Sequence, residues 1–271
     1  MTISAKVVAD SINEENGVRL VSLQLRFPRY ILPQFLTHRV FSRNSSSSRA
    51  IPVKKLIQDV LNDPVYPSYW GKNKRGMQAH EELSDLEIDH AKELWEESME
   101  KSIKIADELK EMGAHKQIVN RLLEPFSHIN TIVTATEWSN FFKLRIHPDA
   151  QPEIRELAEA MYRAIEIHET NNRLSHMQWH LPYLVEEEKE LYSLDTLKKI
   201  SAARCARVSY NKHDGSKPNI KEDLDLFDRL VGGDPKHLSP TEHQAKAMIT
   251  PAFSANFRGW SQFREEIERS N

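Results

Sequence analysis

Apolar and polar residues alternate over positions 18–27, where Val21, Leu23, Leu25 and Phe27 are separated by Ser22, Gln24 and Arg26. A period of two predicts a strand with one buried face. A second strand is predicted over 5–9, and Glu14, Glu15, Asn16 and Gly17 between the two form a hairpin turn signal. Pro28 and Pro33 end the longer strand, and Ile31, Leu32, Phe35 and Leu36 predict a short buried helix start. A helix is expected over 51–60, after Pro52. Residues 63–78 hold prolines, glycines and aromatics and read as a loop, either a basic lid over a ligand or an ordered surface loop.

The period then changes to that of a helix. Over 81–112, Ala91, Leu94, Trp95, Ser98, Ile105, Ala106, Leu109 and Met112 form an apolar stripe, and Gly113 ends the helix. Residues 115–140 read as a second helical stretch, closed by the His147-Pro148 break. Over 150–168, Ile154, Leu157, Ala158, Met161 and Ile165 share one helical face. Arg163 lies nine positions after Ile154, about 180° around that helix, where a solvated arginine is expected. The second half begins near Leu191. It contains predicted helices over 195–207 (capped by Asp195 or Ser193), 221–231 and 260–269, with a turn-rich loop at 211–218.

A chain of 271 residues suits one large domain or two small ones. Charged residues make up 28% and the net charge is -3, which excludes a generally basic nucleic-acid binder but leaves room for a local basic pocket. The single cysteine, Cys205, excludes an internal disulfide, fits a cytoplasmic location and reads as a packing residue. No apolar run approaches the length of a membrane span, the first residues lack the form of a signal peptide, and no internal repeat is evident.

Against this background, residues 38–49 stand out. They hold three arginines, a histidine, an asparagine and five serines, with no acid. So many donors suit an anion with several oxygens, such as a phosphate. The same composition also suits a Ser-rich flexible loop. Attachment to a predicted core strand favours the anchored reading. Further on, His237, Glu242 and His243 lie close in sequence, but their spacing fits no zinc motif and no metal is expected.

Several segments resemble the flavin-dependent thymidylate synthases. His38-Arg39, Ser42, Asn44, Ser47 and Arg49 are similar to that family's Arg-His-Arg signature, and Gln34 also matches. Thr37 stands where the signature begins with arginine, and an acid of the family is replaced within Ser45-Ser46. Arg121 to Pro125, Asn140-Phe141, Leu144-Arg145 and Ala150-Gln151-Pro152-Glu153-Ile154 resemble the middle of the family, with Arg163 at a nucleotide-binding arginine and Thr136 replacing another. Arg204 to Tyr210 and His237 to His243 resemble its opening segments, yet follow the signature here. The resemblance therefore implies a circularly permuted single domain over 1–271, with 195–271 corresponding to the family's N-terminal part.

The fold so implied is α+β, a twisted antiparallel sheet with a bundle of long helices, like the thymidylate synthase complementing protein. The implied activity is one-carbon transfer from methylenetetrahydrofolate to C5 of a pyrimidine deoxynucleoside monophosphate, dUMP to dTMP by default. Reduction uses FADH2, and NADPH reduces the flavin. The departures at Thr37, Ser45 and Thr136 leave open dCMP, a hydroxymethyl product, or a nucleotide- or flavin-binding homologue without turnover. The resemblance assigns Gln34, Ser47, Arg49 and Arg163 to the nucleotide, with Ser47, Arg49 and Arg163 as the catalytic set. It assigns His38, Arg39, Asn44, His237, Ser239 and Glu242 to FAD. It implies a homotetramer with shared sites, folate as a partner, and neither membrane nor nucleic acid.

Overall fold

The computed structural model describes residues 3–208, 216 and 219–270. Strands β1 (Ser4–Asn13) and β2 (Arg19–Pro28) lead into helix α1 (Leu32–Leu36), strand β3 (Ser42–Ser45) and helices α2 (Val53–Asn62), α3 (Asp85–Glu111) and α4 (Lys116–Val119). Strand β4 (His128–Ala135) precedes helices α5 (Ser139–Arg145) and α6 (Pro152–Ile167), then short strands β5 (Arg173–Leu174) and β6 (Trp179–His180). Helices α7 (Glu186–Leu191), α8 (Leu194–Arg207) and α9 (Ile220–Val231) follow. The chain closes with β7 (Ala245–Ala247), β8 (Phe253–Ser254), β9 (Phe257–Arg258), β10 (Trp260–Gln262) and α10 (Phe263–Arg269).

The expected hairpin forms. β1 and β2 pair antiparallel around a turn where Gly17 adopts φ +72°, a backbone conformation glycine reaches without a Cβ clash. β4 pairs along the other edge of β2, and the main sheet runs β3-β4-β2-β1-β5. Val21, Leu23, Leu25 and Phe27 face Ile154, Leu157, Ala158, Met161 and Ile165 of α6 in the principal core, as both periodicities require. The opposite face of the sheet meets the C-terminal half, where Ile132 packs with Tyr183, Cys205 and Val208. Burying both faces of one sheet requires both halves of the chain. The α+β class is thus as expected, and Cys205 is fully buried packing.

Four expectations need correction. Residues 115–140 are not a helical stretch: after α4 and a 3-10 turn containing Pro125, they enter β4, the strand beside β2. The β-branched run Ile129, Thr131, Ile132, Val133 and Thr134 suits a strand buried on both faces, which shows little alternation. On α3 the expected stripe is displaced: Trp95, Ala106 and Leu109 of it pack on a core with Met99 and Ile103, whereas Leu94, Ile105 and Met112 are exposed. Residues 260–269 divide into β10 and α10, Trp260 being fully buried. The permutation also implies that the segment after His243 lies in the sheet of β2; β7, the strand there, instead joins β6 and β10 in a separate three-stranded sheet.

The other expected helices stand within a few residues of their places, as α1, α2, α6, α8 and α9. Ser193 caps α8, its side chain accepting from the Thr196 amide. The loop expected at 211–218 lies outside the described residues except for Ser216. Among the described residues, no helix is long and apolar enough to cross a membrane.

Candidate functional site

The Ser- and Arg-rich run is held down at almost every step. Phe35 and Phe41 bury themselves in an aromatic cluster with Phe141 and Trp138, which fixes both ends of the turn between α1 and β3. Arg43 braces that turn, donating to the carbonyl oxygens of Leu36 (3.1 Å), His38 (3.2 Å) and Phe41 (2.9 Å). β3 then pairs with β4, and Ser45 shares a hydrogen bond with Thr131 at 2.8 Å. Ser48 donates to Glu124 at 2.6 Å, and Asn120 donates to the Ser48 carbonyl at 2.7 Å. A flexible loop would show none of this, so the run is structured backbone presenting selected side chains.

Arg39, Arg43 and Ser45 open onto a cleft of about 760 Å³, a size usual for small-molecule sites. Leu32, Leu36 and Phe41 give it an apolar wall, and Glu242, Arg264, Glu265 and Glu268 close its far side. Arg264 is engaged by Glu242 at 2.5 Å and Glu268 at 2.8 Å. Arg39 is exposed and has no ion pair among the described residues, so its charge is available to an anion.

Asn44, on the other face of β3 from Arg43 and Ser45, meets the distant C-terminal segment. The two ends of its side-chain amide lie 3.4 Å from Ser239 Oγ and 3.3 Å from His243 Nε2. Of the residues expected at the cofactor, Arg39 and Glu242 share the cleft, while Asn44 and Ser239 meet each other outside its lining. His237 is exposed beside them in sequence, its backbone N–H bonded to the Leu230 carbonyl.

His38 is placed differently. Its ring lies edge-on to Phe141 at 4.8 Å and accepts from Arg145 Nε at 2.9 Å. Burial, then the charges of Arg145 and Arg43, lower its pKa to about 4, so the ring is neutral and part of the aromatic cluster.

The nucleotide set is dispersed. Gln34 hydrogen-bonds Gln151, which in turn donates to the buried carboxylate of Glu153 at 2.9 Å. Ser47 is exposed, and Arg49 lines a separate cavity of about 580 Å³ with Gln117, Ile118 and Arg121. Arg163 projects from the outer face of α6, its side chain 61% exposed and 3.7 Å from Glu159. Among the described residues these four share no hydrogen bond. The three departures are each satisfied within the chain. Thr37 donates to the Gln34 carbonyl at 2.7 Å, Ser45 bonds Thr131, and Thr136 Oγ1 accepts from the Arg258 amide at 3.1 Å.

Sequence reasoning missed the brace at Arg43, the ion pairs of Arg264 and the imidazole of His180, which lies beneath the sheet with Ser11 and Ser22. Only contacts far apart in sequence reveal them. No cluster of potential metal ligands occurs among the described residues.

The family model for the thymidylate synthase complementing protein matches residues 20–168, from the start of β2 through the end of α6. The match spans more than half the chain, and the chain belongs to this family. The flavin-dependent thymidylate synthase of Aquifex aeolicus (strain VF5) is 27% identical over 168 residues, which are 61% of this chain and 51% of that protein. The chain therefore spans about half the length of this relative. Among solved structures, the UMP/dUMP methylase PolB from Streptomyces cacaoi bound with 5-Br UMP overlaps at TM-score 0.49 and 15% identity. That overlap covers 60% of this chain and 88% of the other. The same protein bound with 5-Br dUMP gives TM-score 0.48, 14% identity, and coverages of 60% and 90%.

Proposed function

We propose that this protein is a flavin-dependent enzyme that transfers a one-carbon unit to C5 of a pyrimidine deoxynucleoside monophosphate, with dUMP as the default substrate. The match over 20–168 carries this reading, because it contains Gln34, His38, Arg39, Asn44, Ser47, Arg49 and Arg163 together. The cleft at Arg39 fits a flavin dinucleotide in kind: a cation for phosphate at Arg39, an apolar wall, and hydroxyl and amide groups at Ser45, Asn256 and Gln262. FAD, when bound, supplies the redox chemistry, with NADPH and methylenetetrahydrofolate as co-substrates. The chain's own part is to bind and orient. Arg39 neutralises phosphate, Ser45 fixes a polar edge, and the His38 and Phe41 cluster holds the turn that presents them.

The nucleotide grip of Gln34, Ser47, Arg49 and Arg163 is completed, in this reading, between subunits of a homotetramer. The exposed Leu94, Ile105 and Met112 of α3 give such an assembly an apolar surface to cover. We assign the chain a single permuted domain. Asn16 Nδ2 donates to the carbonyl of Met248 at 3.0 Å, and Trp260 Nε1 donates to the Val18 carbonyl at 3.1 Å. Residues just beyond the His237 to His243 segment thus lie beside the start of β2, which supports that assignment.

A second reading rests on Thr136 and Ser45. A hydroxyl donates or accepts, whereas a guanidinium or carboxylate commits to one pattern. This favours a retuned site acting on dCMP or releasing a hydroxymethyl product. The test is incubation of flavin-loaded protein with dUMP or dCMP, methylenetetrahydrofolate and NADPH, followed by mass analysis. Conversion of dUMP alone to dTMP rejects the retuned reading. Tight nucleotide binding with no product under any combination leaves a binding homologue and rejects the enzyme.

A further inference from the structure

A further cavity, of about 330 Å³, opens at the end of the main sheet where Arg26 of β2 pairs with Asn130 of β4. Arg26 and His128 line it from the sheet, Lys55, Asp59 and Asp63 from α2 and the residue after it, and Arg207 from the end of α8. It shares no lining residue with the cleft at Arg39 or the cavity at Arg49.

Two of these side chains hold buried groups that the protein leaves unpaired. The His128 side chain is 5% exposed, and among the described residues neither ring nitrogen has a hydrogen-bond partner. Asp63 Oδ2 stands 3.9 Å from Nδ1, beyond hydrogen-bond reach. Arg207 Nε is also buried without a partner, while Nη2 of the same guanidinium is held by Asp223 on α9. Native proteins pair nearly all buried polar groups, and the exceptions point to a partner that the chain does not supply. Here two exceptions line one cavity.

The acids on its wall are already engaged. Asp63 pairs with Arg26 at 2.7 Å, and Asp59 with Lys55 one helical turn away. Arg26, Lys55 and Arg207 outnumber Asp59 and Asp63, so the lining carries a net positive charge. Burial, then the charge of Arg26, lower the pKa of His128 to about 4, while Asp63 pulls the other way by its charge and through its backbone. The ring is therefore neutral, with one N–H to give and one lone pair to fill. The unmet groups are two N–H donors and one acceptor under a positive potential. Water answers the hydrogen bonds but not the charge. A carboxylate answers the charge but has no proton for the ring. A singly protonated phosphate answers both, because its oxygens accept and its P–OH donates. The complex has the same composition if that proton moves to the ring and the phosphate becomes a dianion.

We propose that this cavity is an anion site for a small phosphate or phosphate monoester, with His128 and Arg207 as its contacts. Ile51, Leu56 and Val208 give it an apolar wall for a body of about sugar size. The site stands apart from the proposed flavin and nucleotide chemistry and does not depend on it.

The test is calorimetry and thermal unfolding with inorganic phosphate and with ribose 5-phosphate, in wild type, His128→Phe and Arg207→Lys. His128→Phe keeps a flat buried ring and removes both nitrogens. Arg207→Lys keeps the charge beside Asp223 and removes Nε. Wild type should bind saturably and unfold at a higher temperature with the probe present. Each variant should bind about tenfold more weakly or worse, the effect of one charged hydrogen bond. Above pH 7 free phosphate is a dianion and the ring is neutral, so wild type should take up a proton on binding. That uptake appears as a heat that varies with the ionisation enthalpy of the buffer, and His128→Phe should lose it. Without phosphate, His128→Phe should be no less stable than wild type, because it gives up no hydrogen bond. Arg39→Ala and Arg49→Ala should leave the binding in place. Stronger binding of ribose 5-phosphate supports a sugar phosphate as the occupant, and stronger binding of inorganic phosphate supports the free ion. Absence of saturable binding by either probe overturns the proposal, as does binding that neither His128→Phe nor Arg207→Lys weakens.

Discussion

The side-chain amide of Asn13 donates to the carbonyl oxygen of Met248 at 2.9 Å. The same nitrogen donates to the Gly259 carbonyl at 2.8 Å, and Asn13 Oδ1 accepts from the Glu15 amide at 2.9 Å. One fully buried side chain therefore holds the tip of the first hairpin to two strand ends of the C-terminal third. Asn13→Ala removes one donor from each carbonyl and the acceptor of the Glu15 amide, although Asn16 Nδ2 still serves the Met248 carbonyl and the Met248 amide still serves the Gly259 carbonyl. It should lower stability by about 2 kcal/mol, since each lost intramolecular hydrogen bond is worth roughly 0.5–1.5 kcal/mol. Urea unfolding measures this, and a loss below about 0.5 kcal/mol, the size of an ordinary surface change, would mean that the junction is held elsewhere.

Buried neutral histidines make stability depend on pH. Burial depresses His180, with His243 and Lys189 adding to the effect, and burial depresses His243. Between the ordinary histidine value near 6.5 and the folded value of about 3, the unfolded chain binds a proton that the folded chain does not. Stability from this pair is therefore complete above about pH 7 and falls as the solution is acidified. The slope approaches about 2.7 kcal/mol per pH unit for two protons. Unfolding curves at pH 7, 6 and 5 check this, and His180→Gln should remove about half of that slope.

Arg204 is almost fully buried. It donates to both Glu188 oxygens at 2.6–2.7 Å, to Asp223 at 3.1 Å and to the Tyr183 carbonyl at 2.7 Å. Burial alone would raise the pKa of Glu188, but the hydrogen bonds from Arg204 and the Val185 amide, with the Arg204 charge, hold it below its ordinary value. The Glu188 contribution is therefore present above the unfolded pKa and lost as pH falls through the folded one. Glu188→Gln should cost about 1.5–3 kcal/mol at pH 7, the usual worth of a charged hydrogen bond. The gap to wild type should close in strongly acidic solution. A gap that persists at low pH would point to packing rather than charge.

What could be read in the sequence was what repeats with a period. The alternation of Val21 to Phe27 and the face from Ile154 to Ile165 each predicted both an element and its buried side, and the two meet in the core. β4 was misread because Val119, Leu123 and Phe126 precede it at helical spacing, and its own residues are buried on both faces. Asn44 and Ser239 lie 195 positions apart, so only a resemblance could suggest that they meet. His180, Ser11 and Ser22 carry no local signal at all. A buried polar line is assembled from single residues on separate strands, and no window along the chain contains it.

The dispersal of the nucleotide set leads to the last prediction. Arg49 faces outward beside Gln117 and Arg121, while Arg163 faces outward from α6, which lies across β1 and β2. If each site takes Arg49 from one subunit and Arg163 from another, either substitution alone disables every site. Arg49→Ala should weaken nucleotide binding by about 1.5–3 kcal/mol, roughly 10- to 150-fold, and Arg163→Ala by a similar amount. The two variants, unfolded together and reassembled at equal concentration, then form mixed oligomers. About one site in four receives both intact arginines from different subunits, given symmetric and random assembly. Calorimetry with dUMP should resolve a high-affinity class near a quarter of the sites, whether or not turnover occurs. If both arginines serve a site within one subunit, no mixed assembly contains an intact pair. The high-affinity class is then absent, and the shared-site reading fails.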